Sequence, residues 1–242
     1  MALHFLVEAA SNAVVGDVVS LTGAEAKHAA VVRRLRVGET VTVGDGAGVW
    51  LTGVAEEVAP TRVEVRVSDR AEQAEPSPRI VLVQALAKGD RDELAIQAAC
   101  ELGVDEVVPW QASRSISRWE GAKAVKGRER WATIVREAAK QAHRRWVPSV
   151  TPPVSTSDLV TRAAEQRVLV LDPTADVRLS EVVAEGRDLV LVVGPEGGLT
   201  DDELAKLTDA GAERVLLGDT VLRTSTAGPA AIAVLSVALG RW

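Results

Sequence analysis

Three stretches of this chain, Val168–Leu171, Leu189–Val193 and Val215–Leu217, are apolar at every position yet only as long as a strand. A strand with water on one face alternates apolar and polar residues, so these runs belong in a sheet covered on both faces. With Ile80–Leu86 and Glu106–Trp110 they alternate with helical patterns at Arg91–Leu102, within Ala122–Arg145, and at Asp201–Ala210 and Ala227–Leu239. Such alternation predicts an α/β domain built on a parallel sheet.

The N-terminal part has another texture. Val18–Leu21, Thr40–Val43, Val49–Thr52 and Arg62–Val67 are short, Val-rich and alternating, with turn residues such as Gly44-Asp45-Gly46-Ala47-Gly48 between them. They predict a small β-barrel, interrupted by a helix over Gly23–Leu35 whose end carries Arg33, Arg34 and Arg36. The polar, proline-containing run from Glu72 to Pro78 reads as a linker. The expected division is therefore 1–72, linker 73–78, and 79–242, and 242 residues suffice for two cores. A formal net charge of −6 argues against blanket attraction to nucleic acid but leaves room for local basic faces. A single cysteine, Cys100, excludes a disulfide framework, and its apolar surroundings make it a core residue. Three scattered histidines give no metal-ligand spacing, so no metal is expected. With no signal peptide and no apolar run of membrane length, a cytoplasmic protein without membrane contact is expected.

In open parallel sheets, ligands bind outside the carboxyl ends of the strands. Gly194-Pro195-Glu196-Gly197-Gly198 lies at such an end, with Thr200 and Glu203 spaced as a capping box for the next helix. It matches neither the dinucleotide fingerprint nor a phosphate loop, and a tight turn without ligand is the plain alternative. Leu217-Gly218-Asp219-Thr220-Val221-Leu222-Arg223-Thr224-Ser225-Thr226 follows the next strand, so two loops would face one crevice. Ser225 or Thr226 is the expected cap of the last helix, with Pro229 in its first turn.

These motifs resemble the SPOUT superfamily of S-adenosylmethionine (SAM)-dependent RNA methyltransferases, and more narrowly the RsmE family. His28–Gly38, Lys88-Gly89-Asp90-Arg91 with Gln97 and Glu101–Val104, Ser113-Arg114-Ser115, Glu137–Gln141 with Arg144 and Pro148, and both C-terminal loops occur in the family's order. The resemblance implies an N-terminal PUA-like β-barrel, a C-terminal α/β domain with a trefoil knot, and a homodimer. It also implies methylation of N3 of a uridine in small-subunit (16S) ribosomal RNA, free or in the assembled subunit. For the homodimer, Ala227–Leu239 suits a subunit interface and a buried core helix equally. The family is more often acidic at the position of Ser225 and often has lysine at that of Ala98, and Lys140–Arg145 is more basic than usual.

The resemblance further implies SAM contacts, largely through backbone, around Leu171, Gly194, Glu196, Gly197, Gly198, Leu217, Gly218, Leu222, Arg223 and Thr224. Uridine N3 carries a proton, so its methylation needs a base or a cation that stabilises the uracil anion. Arg223, the only cation of the two loops, is the candidate for the second role, and pairing with an RNA phosphate or a nearby acid is an equal reading. Glu196 either orders its loop or accepts the proton. Candidate RNA contacts are Arg33, Arg34, Arg36, Lys88, Arg114, Arg144 and Arg145. Between Arg114 and Arg145 there are ten basic residues against three acidic ones, which is either a solvated face or, with the arginines of the small domain, a phosphate clamp. Trp110, Trp119, Trp131 and Trp146 read as core or interface anchors. The competing functions are methylation of another RNA, RNA binding without catalysis, and a nucleotide-dependent oxidoreductase.

Overall fold

The computed structural model describes residues 2–183 and 185–242. They form two units, one of residues 1–75 with 139–147, the other of 76–138 with 148–242.

The first unit contains β1 (Leu3–Leu6), β2 (Val18–Thr22), α1 (Gly23–Lys27), β3 (Thr40–Gly44), β4 (Val49–Ala59) and β5 (Arg62–Glu72). They make one sheet of order β1-β3-β4-β5-β2, antiparallel except for the β1–β3 pair. The sheet curls into a half-barrel around Phe5, Val19, Leu21, Val41, Leu51, Val63 and Val65, with β1 and β2 as its edges rather than closing as expected. Alternation places these side chains inward, and each such buried aliphatic or aromatic contributes roughly 1.5–3 kcal/mol. The expected helix over Gly23–Leu35 is shorter. After α1 a wide turn runs over His28–Val32, closed by the Arg33 N–H to His28 O bond, and Arg34 then takes φ 54°. Residues 139–147 join this unit, with Trp146 Nε1 donating to Gln73 O and Lys140 pairing with Glu25 at 2.8 Å.

The second unit runs β6 (Ile80–Ala85), α2 (Arg91–Glu101), β7 (Glu106–Trp110), α3 (Ala122–Gln141, its last turn falling in the first unit), β8 (Ser149–Val150), α4 (Thr156–Glu165), β9 (Arg167–Leu171), β10 (Leu189–Val193), α5 (Asp201–Asp209), β11 (Glu213–Val215) and α6 (Thr224–Ala238). All pairs of its six-stranded sheet, order β11-β9-β10-β6-β7-β8, are parallel, as the apolar runs predict. One face buries Val81, Val83, Val168, Val170, Val190 and Val192 beneath Leu159 of α4 and Leu207 of α5. On the other, α6 lies against α2 and over β6 and β10. Trp110 and Trp131 are fully buried, in keeping with their reading as anchors.

Register positions the site. Val192 pairs with Val170, and Val215 with Leu171, so β9, β10 and β11 end at nearly the same level and their loops leave the sheet side by side. No described helix is long and apolar enough to cross a membrane.

Candidate active site

Three loops surround a cavity of about 640 Å³ at those strand ends: Leu171–Thr174 after β9, Val193–Leu199 after β10, and Val215–Thr224 after β11. That volume lies in the range of small-molecule sites. Leu171, Leu199, Leu204, Leu217 and Leu222 supply apolar wall, while Asp172, Thr174, Asp201, Thr220, Arg91 and Arg223 supply polar groups. Nine of the ten expected cofactor residues line it: Leu171, Gly194, Glu196, Gly198, Leu217, Gly218, Leu222, Arg223 and Thr224. The tenth, Gly197, does not. A methyl group added there would stand 3.3 Å from Arg114 Cβ, so the missing side chain leaves room for Arg114.

The Gly-rich loop is held from several directions. Gly198 N–H bonds Pro195 O at 2.9 Å, closing a turn in which Gly198 takes φ 67°, a region open to glycine. Arg114 donates through Nη1 to Gly197 O at 2.8 Å and Leu199 O at 3.0 Å. Arg114, expected on RNA, is thereby a strut of this loop. Glu196 Oε1 accepts from Lys88 N–H at 3.0 Å and Arg91 Nη1 at 2.9 Å. Partial burial pushes the Glu196 carboxyl up, but its own N–H, the Lys88 N–H and Arg91 outweigh that and hold it below the ordinary glutamate range. Such a carboxylate orders a loop well and is a poor proton acceptor. The capping box forms as expected between Thr200 and Glu203, and Glu203 Oε1 also accepts from Ser113 N–H and Thr156 Oγ1.

The last helix starts earlier than its cap signals predict. α6 begins at Thr224, with Arg223 at its N-cap making no side-chain cap bond. Neither Ser225 nor Thr226 caps it, and Pro229 sits in the second turn rather than the first. Thr224 Oγ1 instead donates to Gly194 O at 2.8 Å and accepts from Gln84 Nε2 at 2.9 Å, a tertiary tie that fixes the helix start. Ahead of it, Leu216 is held by Leu179 N–H to Leu216 O and Leu216 N–H to Val177 O. The exposed Arg223 guanidinium makes no hydrogen bond or ion pair with described residues, whereas Arg91, the other cation in the wall, is bound to Glu196.

Two parts of the wall escaped the sequence reading. Asp172-Pro173-Thr174 follows the continuous apolar strand Val168–Leu171, so the strand-end rule that found the other loops applies to it. Arg91 opens α2 inside the Lys88-Gly89-Asp90-Arg91 motif, but only the fold brings it to Glu196. Asp172 is drawn up by burial, yet the Thr174 N–H and hydroxyl and Arg214 outweigh that and keep it below its ordinary range. Among the described residues no group of His, Cys, Asp and Glu could hold a metal ion.

The basic run is largely committed to the fold. Arg114, Arg118 and Arg128 donate to main-chain carbonyls, Arg130 and Lys140 pair with Glu93 and Glu25, and Arg145 lies 5.8 Å over the Trp50 ring. The guanidinium groups of Arg33, Arg34 and Arg36 and the Lys88 ammonium are exposed and have no partner among the described residues.

A cavity at the carboxyl ends of a parallel sheet, accompanied by a β half-barrel, defines an α/β small-molecule-binding protein with an appended β module. The chain matches the family model described as RNA methyltransferase domain over residues 74–236 and that described as RNA methyltransferase PUA domain over residues 21–68. It is similar to the ribosomal RNA small subunit methyltransferase E of Mycobacterium bovis, 44% identical over 233 residues that cover 94% of this chain and 89% of that protein. The protein of that name from Bacillus subtilis is 32% identical, covering 90% and 89%. A crystal structure of a ribosomal RNA small subunit methyltransferase E from Neisseria gonorrhoeae bound to S-adenosyl methionine has a TM-score of 0.87 at 30% identity, covering 98% of each chain. A putative methyltransferase from Legionella pneumophila, in complex with SAM, has 0.86 at 29%, again over 98% of each. The chain belongs to the family of ribosomal RNA small subunit methyltransferases E, within the wider RNA methyltransferase domain family.

Proposed function

We propose that this protein is a SAM-dependent methyltransferase acting on N3 of a uridine in 16S ribosomal RNA, and that the three-loop cavity holds SAM. The observation that carries the reading is the cavity itself, with leucines suited to a flat adenine and a single unpaired cation, Arg223, in its wall. Bound there, SAM supplies a methyl group on a positively charged sulfur. The main chain at Gly194, Leu217, Gly218 and Leu222 and the apolar wall fix its orientation. In-line transfer demands that nucleophile, methyl carbon and sulfur be collinear. The N3 proton passes to solvent water, and the guanidinium of Arg223 stabilises the uracil anion that takes the methyl group. Glu196, engaged with Lys88 and Arg91, orders the Gly-rich loop. Arg33, Arg34, Arg36 and Lys88 contact RNA phosphate.

The test is transfer of labelled methyl from SAM to 16S ribosomal RNA and to assembled small subunits, with the modified nucleotide mapped. Label at uridine N3 is expected. SAM binding with label on another RNA or atom removes the substrate, and RNA binding without SAM binding removes the enzyme.

The same reading includes a cytoplasmic location, tested by fractionation, a trefoil knot and a homodimer. The backbone bonds that hold Leu216 between Val177 and Leu179 support the knot, and an experimental trace without threading would remove it. One face of α6 is core, through Ile232 and Leu235, but Ala230, Ala233, Val234 and Val237 on the other remain partly or largely exposed, which supports the dimer. Light scattering should give twice the chain mass, and Val234→Glu should halve it. A monomeric parent protein would refute the dimer.

A further inference from the structure

Gln84 is fully buried at the end of β6, a strand flanked on both sides by others, where an apolar residue would be the economical choice for the fold. Its Nε2 donates to Ala85 O at 3.2 Å and to Thr224 Oγ1 at 2.9 Å, and Thr224 in turn donates to Gly194 O at 2.8 Å. Each hydroxyl has one proton, so the direction of the relay is determined. Thr224 gives its proton to Gly194 and must accept from Gln84, which fixes the amide orientation. Oε1 is then left buried with no partner among the described residues. A buried unpaired carbonyl is costly, and a Leu or Met here would avoid it, so the amide calls for a role outside packing.

The relay joins two loops of the cavity. Gly194 opens the Gly-rich loop and Thr224 is the first residue of α6, directly after Arg223. Close packing at Gly228, where an added methyl would stand 3.1 Å from Leu82 Cδ1 and 3.5 Å from Val193 Cγ2, seats α6 on the same strands. Packing sets the depth of α6, while the directional bonds through Thr224 set the height of its first turn relative to Gly194.

We propose that Gln84 is a positioning residue for methyl transfer: through Thr224 it locks the helix start that carries Arg223 to the Gly194 loop. This rests on the reading of the cavity as the SAM site and of Arg223 as the cation facing the uracil. Gln84 itself touches neither substrate nor cofactor.

Gln84→Met keeps an unbranched side chain and removes the amide, and Thr224→Val keeps the shape and removes the hydroxyl. Full-length variants are compared with the parent for thermal unfolding, SAM affinity by calorimetry, and kcat, KM and pH profile of RNA methylation. Gln84→Met should lower kcat roughly 10- to 100-fold while SAM affinity and KM for RNA change by less than about threefold. Its rising pH limb should move to higher pH, because a displaced cation leaves N3 harder to deprotonate, whereas a merely unstable variant would lower the whole profile evenly. Thr224→Ser should restore what Thr224→Val loses, and Gln84→Met added to Thr224→Val should cost little more. A parent-like kcat in Gln84→Met overturns the proposal, as do strictly additive losses. If Gln84→Met does not fold, the Thr224 pair decides, with parent-like activity in Thr224→Val overturning the relay. A parent protein that binds no SAM refutes the cavity reading and the proposal with it; one that methylates normally while Gln84→Met is unaffected refutes the proposal alone.

Discussion

Arg223 and Arg91 stand in one cavity wall with the same guanidinium, and their partners separate their roles. Arg91 is bound to Glu196, while Arg223 makes no ion pair with any described residue. Arg223→Ala should therefore lower kcat by roughly 100- to 1000-fold, the usual loss on removing a donor to a developing anion, with SAM affinity nearly unchanged. Single-turnover methylation and calorimetry check the two halves, and near-normal turnover would return Arg223 to phosphate pairing. His4 illustrates a residue whose state only the fold determines. It is buried, stacks on Trp50 at 4.1 Å and lies 5.7 Å from His143. Burial, then the charges of His143 and Lys140, lower its pKa from 6.5 to about 4. Between those values the unfolded chain binds a proton that the folded one refuses, so stability falls as pH drops from 6.5 to about 4 and levels off below. The loss should approach about 3 kcal/mol, and His4→Phe should abolish it in this window, as followed by tryptophan fluorescence in urea. An unchanged pH dependence in His4→Phe would assign the loss elsewhere.

At the scale of elements, strands were the most legible part of the sequence. Val168–Leu171 and Leu189–Val193 could only be strands buried on both faces, and they are. The capping box is a local pattern, and it forms between Thr200 and Glu203 where the spacing places it. Helix α6 was misplaced at its start because nothing near Thr224 in sequence specifies it. The deciding partners, Gln84 and Gly194, lie 140 and 30 positions away. The same holds for the bonds of Arg114, whose acceptors at Gly197 and Leu199 lie 83 and 85 positions away. The Gly-rich loop depends on Glu196 being charged. Its lowered pKa means that its contribution is complete above the ordinary value of 4.5 and is lost as pH falls through the lower folded value. Glu196→Gln keeps the shape and weakens the tie to Arg91, so SAM affinity should fall by roughly three- to tenfold at neutral pH, in the range of a partly exposed charged hydrogen bond. Fluorescence titration with SAM measures it. An affinity equal to the parent's would mean that Arg114 and the Pro195–Gly198 turn suffice to hold the loop.

At the scale of the whole molecule, a chain of net charge −6 must engage a polyanion through a few well-placed cations. Of the ten basic residues between Arg114 and Arg145, Arg114, Arg118, Arg128, Arg130 and Lys140 are bonded within the protein, and Arg145 lies over the Trp50 ring. Composition cannot distinguish a cation that braces a carbonyl from one that waits for a phosphate, because both are arginine and both reach the surface. Among the described residues, the exposed cations of the first unit that make no ion pair include Arg33, Arg34 and Arg36, beside exposed Val31, Val32 and Val37. If these three neutralise phosphates, each contributes to the salt dependence of RNA affinity, with a slope of about −0.7 per contact on a logarithmic plot for single strands. Replacing all three by alanine should then flatten the slope by about 2 and weaken binding at low salt, leaving SAM affinity untouched. Replacing Arg118, Arg128 and Arg130 instead should leave the slope nearly as it was and lower thermal stability, since those side chains brace the fold. Filter binding of ribosomal RNA between low and physiological salt, run on both triple variants, separates the two groups. A larger change of slope in the second triple than in the first would move the RNA-binding surface back to the helical run.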